Sequence, residues 1–192
     1  LVRQPGKKKR KKGGAGARER KKDPERESER WRRVAIAIDA SLATEGIKPI
    51  HVADREADNF DLFGPLAAAG SRFVIRMTYS RVVRDAPADF KPTRKRPRPT
   101  MDQVMAGIPT RITREVPISS RIVSMGHRLE TPRDTRIATL AFSATRVCVQ
   151  PPKDTNFNED TELNIVEIVE VDPPLGQEPI HWRLLTTEPI ET

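Results

Sequence analysis

Asp54-Arg55-Glu56-Ala57-Asp58 places three carboxylates and one arginine within five residues. Carboxylates are the ligands that hard divalent cations prefer, so a string of this kind invites a metal reading. It follows Pro49-Ile50-His51-Val52-Ala53, a short and mostly apolar run that reads as a strand. Glu56 to Ala69 then reads as helix, with Phe60, Phe63 and Leu66 on one face. Asp54 therefore stands where a strand ends and a helix begins, which in open α/β sheets is the edge where ligands bind. The same acids also suit a helix start. Carboxylates near a helix N-terminus are stabilised by the macrodipole, and Glu56 and Asp58 need no other reason to be there.

The elements that would carry this string have their own signatures. From Glu29 to Thr44 the apolar residues Trp31, Val34, Ile38 and Leu42 recur at spacings of three and four, an amphipathic stripe with Ser28 as its expected N-cap. Gly64-Pro65 is expected to kink or split the second helix, and Gly70 to end it. Arg72-Phe73-Val74-Ile75-Arg76 is the next strand. Helix, strand, helix, strand with short connections is α/β grammar. After Arg76 the helical signal disappears up to Thr192. Arg111 to Val123, Arg136 to Val149 and Leu163 to Val171 are rich in Ile, Val and Thr and read as an antiparallel sheet, with Ile180 to Thr187 returning from it.

The 192 residues allow one ordinary domain, or one domain with a disordered arm. No apolar run approaches the roughly 20 residues of a membrane helix, so no membrane partner is expected. A single cysteine, Cys148, excludes a disulfide framework and fits a reducing compartment. His51, His127 and His181 lie far apart, which leaves a finger-type zinc site without support.

The net charge of +8 is unevenly spread. Residues 1–33 carry 15 Lys/Arg against 5 Asp/Glu, with Lys7 to Lys12 an unbroken basic block followed by glycines. Mutual repulsion and glycine entropy predict disorder there, as a solvated linker or a phosphate-binding arm. Residues 76–146 form a second basic zone, 15 Lys/Arg against 6 Asp/Glu. Within it Arg94, Lys95, Arg96 and Arg98 lie among Pro92, Pro97 and Pro99, which forbid helix and favour an extended, exposed loop. From Glu159 onward one Arg faces nine acids. Basic and acidic zones in one domain guide a polyanion along one face only.

Three strings together resemble a known family. His51 to Asp58, followed by a helix and Arg72-Phe73-Val74-Ile75-Arg76, is similar to the Asp-Arg-Glu-Ala-Asp and Arg-Phe-Val-x-Arg signatures of DDE transposases of the bacterial insertion-sequence 4 group. Pro179 to Ile190 resembles that group's Pro-x-x-Trp-x-Leu-Leu-Thr-x-Glu-Pro segment, and Glu27-Ser28-Glu29-Arg30-Trp31 its Glu-Ser-x-x-Trp helix. The resemblance spans residues 27 to 192. It implies a ribonuclease-H-like core interrupted by a large β insertion, with a partial core over 28–78, an inserted antiparallel subdomain over 79–180 and a returning strand over 181–192; the disordered basic arm over 1–27, expected from its charge run, lies outside it. The resemblance implies a cytoplasmic protein, nucleoid-associated when bound to DNA, whose complete enzyme acts on double-stranded DNA at transposon ends with Mg²⁺ or Mn²⁺ as a dimer with a second transposase chain. Matched residue by residue, Asp54 stands at the second catalytic aspartate and is the metal ligand. Arg76 stands at a basic residue that contacts DNA near the cut. Trp182 stands at the tryptophan that wedges into the helix when a base is flipped, where an aromatic face replaces a lost stacking partner. The plainer readings are a surface arginine ending a strand, and a core or edge-strand aromatic.

The departures are as informative. No strand bearing the family's first Asp precedes the Glu27 helix, and no Tyr-x-x-Arg-x-x-x-Glu helix follows Trp182; Glu188 and Glu191 lack that spacing. One carboxylate cannot fix two metals about 4 Å apart. We therefore expect an internal piece of a transposase, catalytically inactive and not dimeric by itself, with apolar faces at Val34, Ile38, Phe60 and Phe73 left exposed. Two rivals stand beside it: a non-catalytic DNA-binding remnant using the basic arm, the cluster Arg94, Lys95, Arg96 and Arg98, Arg76 and Trp182, and a decayed reading frame without function.

Overall fold

The computed structural model describes residues 26–86, 89–95, 98–120 and 133–190. Helix α1 (Glu27–Ala43) leads to β1 (Ile50–Ala53), a single 3-10 turn (Arg55–Ala57), α2 (Phe60–Ala68) and β2 (Arg72–Arg76). A long connection carries the short helix α3 (Met101–Met105), and β3 (Ile112–Ile118), β4 (Arg136–Val149), β5 (Thr161–Val171) and β6 (His181–Thr186) complete the chain. The fold is mixed α/β, with a six-stranded mixed sheet in the order β1-β2-β6-β5-β4-β3. β1 and β2 are parallel and every other pair is antiparallel. The last strand thus lies between β2 and β5 and makes the parallel pair continuous with the antiparallel strands.

Period-two alternation divides the sheet's faces. Phe73, Ile75, Leu185, Ile165 and Val147 face one side, where they pack with Phe60, Phe63 and Leu66 of α2 and Met101 and Met105 of α3 in the main core. On the opposite face, Phe142, Ile168 and Trp182 stand in one cross-strand row. They belong to a smaller cluster built on Ile118, Ala138, Leu140, Ile168 and Ile180. α1 is tied to the first face by Asp39, which receives the Ser71 hydroxyl at 2.6 Å and lies 2.8 Å from His51 Nε2.

Several elements differ from what the residue pattern predicts. α1 starts at Glu27, inside the expected arm, with Arg26 at its N-cap. Ser28 caps nothing, and its hydroxyl is buried without a partner among the described residues. The packed face of α1 carries Trp31, Ala35 and Ile36, while Val34 is 57% exposed and Ile38 also faces water. Trp31, Ala35 and Asp39 recur at spacings of four, so this face ends on a polar residue that an apolar pattern does not count, and the tie through Asp39 selects it. The expected helix from Glu56 is broken at Asp58-Asn59, not at Gly64-Pro65. Asn59 caps α2 by accepting the Asp61 amide at 3.0 Å, and Pro65 sits inside the helix. α3 contradicts the expected absence of helix after Thr78: Thr100 and Gln103 form a capping box around one buried turn, too short to leave a periodic signal. Phe60 and Phe73, expected to be exposed, are buried in the main core. Residues 1–25 of the expected arm lie outside the described residues, as does Arg96. No helix among the described residues is long and apolar enough to cross a membrane.

Candidate functional site

Asp54 follows β1 directly and heads the 3-10 turn, where its side chain makes no capping hydrogen bond. It is 73% exposed, and its carboxylate lies 3.6 Å from the Arg76 guanidinium at the end of the neighbouring strand. Parallel pairing of β1 with β2 places the two C-terminal ends together, so the register creates this contact. Arg76 is opposite Leu184 in β6, which puts it diagonal to Trp182 on the same face. Its guanidinium carbon stands 5.2 Å from the centroid of the Trp182 ring, a cation–π distance. Asp54, Arg76 and Trp182, drawn from three distant parts of the sequence, form one line across the sheet edge.

Trp182 is half-buried against the smaller apolar cluster, so one part of its ring is fixed by packing while the Arg76 side opens on a cleft. Arg55, Arg76, Arg133, Glu178 and His181 surround that cleft with Trp182. Three guanidinium groups against one carboxylate suit an anion. Arg133 donates to the Ser119 carbonyl at 3.2 Å, which holds it at the rim. Arg55 and His181 also line a larger neighbouring cleft of about 250 Å³ beside Thr78, Tyr79 and Ser80.

Asp58 has a different role from its neighbours in the ionic string. Its side chain has no exposure to water and pairs with Arg81. It accepts the backbone amides of Thr78 at 2.6 Å and Tyr79 at 3.0 Å. Asp58 therefore pins the loop after β2, and neither metal binding nor helix capping is its task. Arg183 is held between Glu167, at 2.7 Å, and Asp102. Burial alone would push the Glu167 carboxyl up, but bonds from His181 and Arg183 outweigh it and hold the group below its ordinary value.

The two strings flanking the site also hold each other. Arg72 of β2 forms a bidentate pair with Glu188, its Nε donating at 2.8 Å. The Thr186 hydroxyl donates to the Phe73 carbonyl at 2.7 Å, and Thr187 accepts the Phe73 amide at 2.9 Å. Glu188 is held below the usual carboxylate range by the Arg72 bond. Its carboxylate is committed to this clamp.

These residues do not fit a two-metal centre. Among the described residues no three His, Cys, Asp or Glu side chains group to hold a cation, and Asp54 faces a guanidinium. Arg94 and Lys95 stand exposed on the connection between β2 and α3 and line neither cleft. Cys148 is half-buried in β4, and burial, then Asp160 and Asp85, push its thiol up, away from nucleophilic use. Arg55, Tyr79, Arg133 and His181 were not singled out by sequence reasoning. Arg55 and His181 lie inside the two quoted strings, and Tyr79 is the only tyrosine of the chain, directly beyond β2. Arg133 has no sequence signal. No family model matches the chain.

Proposed function

We propose that this chain is a DNA-binding part of a cut-and-paste transposase of the DDE type, resembling the insertion-sequence 4 group, and that it engages double-stranded DNA through the face bearing Arg55, Arg76 and Trp182. The observation that carries the reading is the line Asp54–Arg76–Trp182. Asp54 and Arg76, from one match, and Trp182, from another, stand within reach of one another, with 3.6 Å between the first two and 5.2 Å between the second pair. The β1–β2 register accounts for the first contact, so the support lies in the second, where Trp182 from a separate string stands beside Arg76.

Metal enters this reading only with two further carboxylates beside Asp54, which the described residues do not supply. A non-catalytic DNA-binding role for the chain by itself is therefore favoured over strand cleavage by one specific observation: the lone carboxylate is paired with Arg76. Incubated with transposon-end DNA and Mg²⁺ or Mn²⁺, the purified chain is expected to leave the DNA intact. Nicking that disappears in Asp54→Ala would overturn the one-carboxylate reading.

Duplex binding tests the rest. Neutralising about three or four phosphates predicts roughly a hundredfold loss of affinity between about 50 and 200 mM salt. Arg76→Ala should lower the salt slope by about 1. Asp54→Asn, measured in EDTA, should tighten binding, because it removes a negative charge and releases Arg76 towards phosphate. Weaker binding of that variant without metal, or a salt-independent affinity, would sink the proposal.

A further inference from the structure

The larger cleft is lined by Met77, Thr78, Tyr79 and Ser80, the loop that Asp58 fixes, and by Arg55, His181 and Arg183. We propose that it is a subsite for one unpaired nucleotide, with the Tyr79 ring as stacking platform. This rests on the DNA reading above and adds a second aromatic position to it, distinct from Trp182.

Three observations carry it. The Tyr79 residue is 65% exposed although its amide is anchored on a buried carboxylate, so a large aromatic side chain is presented to solvent on a backbone that is held in place. Such a platform stacks any base, because every base has a π-face. The same lining offers what a base and its sugar would meet: Met77, the Thr78 hydroxyl, which donates to the Arg55 carbonyl at 3.3 Å and keeps its acceptor side, and the Ser80 hydroxyl, which accepts the Asp102 amide at 3.2 Å and keeps its donor. Finally, Arg55 and His181 are shared with the smaller cleft that holds Arg76 and Trp182. They therefore stand where the two clefts adjoin. A phosphate there would join a nucleotide in the larger cleft to one beside Trp182. Arg55 makes no side-chain ion pair among the described residues and is available for it. Arg183 is not, because Glu167 and Asp102 already neutralise it.

The size of the space limits the ligand. A cleft of about 250 Å³ lies below the usual span of about 300–1,000 Å³ for drug-sized ligands and takes one base, with the backbone left outside. A duplex cannot enter it without extruding a nucleotide, so the subsite discriminates unpaired from paired DNA.

The test is fluorescence anisotropy of the full chain with a short labelled oligothymidine and, in parallel, a blunt duplex, at one fixed salt concentration. Tyr79→Ala should weaken oligothymidine binding about tenfold, the usual range of one stacked base. It should leave duplex affinity unchanged. Tyr79→Phe should restore single-strand binding, since the ring and not the hydroxyl is used. Arg55→Ala should weaken oligothymidine binding and lower its salt slope by about 1. Because Tyr79 is exposed, loss of folding does not confound the result, and thermal unfolding of each variant checks this. Single-strand affinity unchanged in Tyr79→Ala, with duplex binding intact, overturns the subsite alone. Single-strand binding that depends on Tyr79, without any duplex binding, supports the subsite and removes the duplex reading. Binding to neither probe removes both.

Discussion

Asp58 accepts two backbone amides and the Arg81 guanidinium with no side-chain exposure to water, so removing it strands buried donors and an almost buried cation. Breaking such a pair costs about 3–5 kcal/mol. Asp58→Ala should therefore lower the urea midpoint sharply. Asp54→Ala, four residues earlier and exposed, should stay within about 0.5 kcal/mol of the parent. Equal losses in the two variants would contradict the division of labour within the string. Acid stability follows from the same kind of contact. Burial tends to raise the Asp61 carboxyl, but Thr155, the Asn156 amide and Arg26 outweigh it, and the group is held below its ordinary value. Glu170 is held down by the Arg136 bond, opposed by burial and helped by the Ile180 amide. Glu167 and Glu188 are lowered as well. Folded values below the unfolded ones mean that the unfolded chain binds more protons. This stabilisation is complete above about pH 5 and is lost as pH falls through the lowered folded values. The urea midpoint should drop steadily from about pH 5 to pH 3, and less steeply in Glu170→Gln. A flat profile over that interval would count against these carboxylates as a group.

At the scale of elements, α2 carries a glycine whose usual effect is reversed by its neighbour. Gly64→Ala in a helix interior ordinarily stabilises by about 0.5–1 kcal/mol. Here a Cβ at position 64 would stand 2.6 Å from the Phe157 ring. That ring packs on Phe60, and the amides of Asn156 and Phe157 donate to Asp61. Overpacking should make Gly64→Ala destabilising by about 1–3 kcal/mol, with Phe157→Ala in the same chain relieving part of the loss. A stabilised single variant would show that the 155–157 loop yields freely. Strand content was legible because β2 and β4 are runs of β-branched and apolar residues bounded by turn residues, and both start and end where the pattern puts them. The stripe of α1 and the break before α2 were not. Each is decided by a polar side chain at a distant contact, Asp39 on His51 and Ser71, and Asp58 on the loop after β2. Local spacing carries no information about such partners. At the site the same limit applied. The strings located Asp54, Arg76 and Trp182, whereas Arg133 entered only because chain folding brought it to the cleft.

For the whole molecule, the two margins of the sheet are built differently. β3 lies at one margin with Arg114, Glu115 and Pro117, the charges and proline that discourage pairing with another chain. β1 lies at the other as Ile50-His51-Val52-Ala53, with neither. Val52 is 78% exposed, and Ile50, on the same face, is also open to water. Strands in parallel pairs are normally covered on both faces, and α1 serves only the His51 side. Among the described residues nothing pairs with the outer edge of β1. Exposed backbone donors and acceptors beside bare Val and Ile side chains are a template for strand addition. The isolated chain should therefore associate as its concentration rises, seen as a growing sedimentation coefficient at constant salt. Val52→Lys places a charge on the open edge and should suppress association without lowering the thermal midpoint, because the side chain it replaces is already in water. A chain that sediments as a monomer at every concentration, or a lysine variant that associates as before, would show that this margin is not the sticky one.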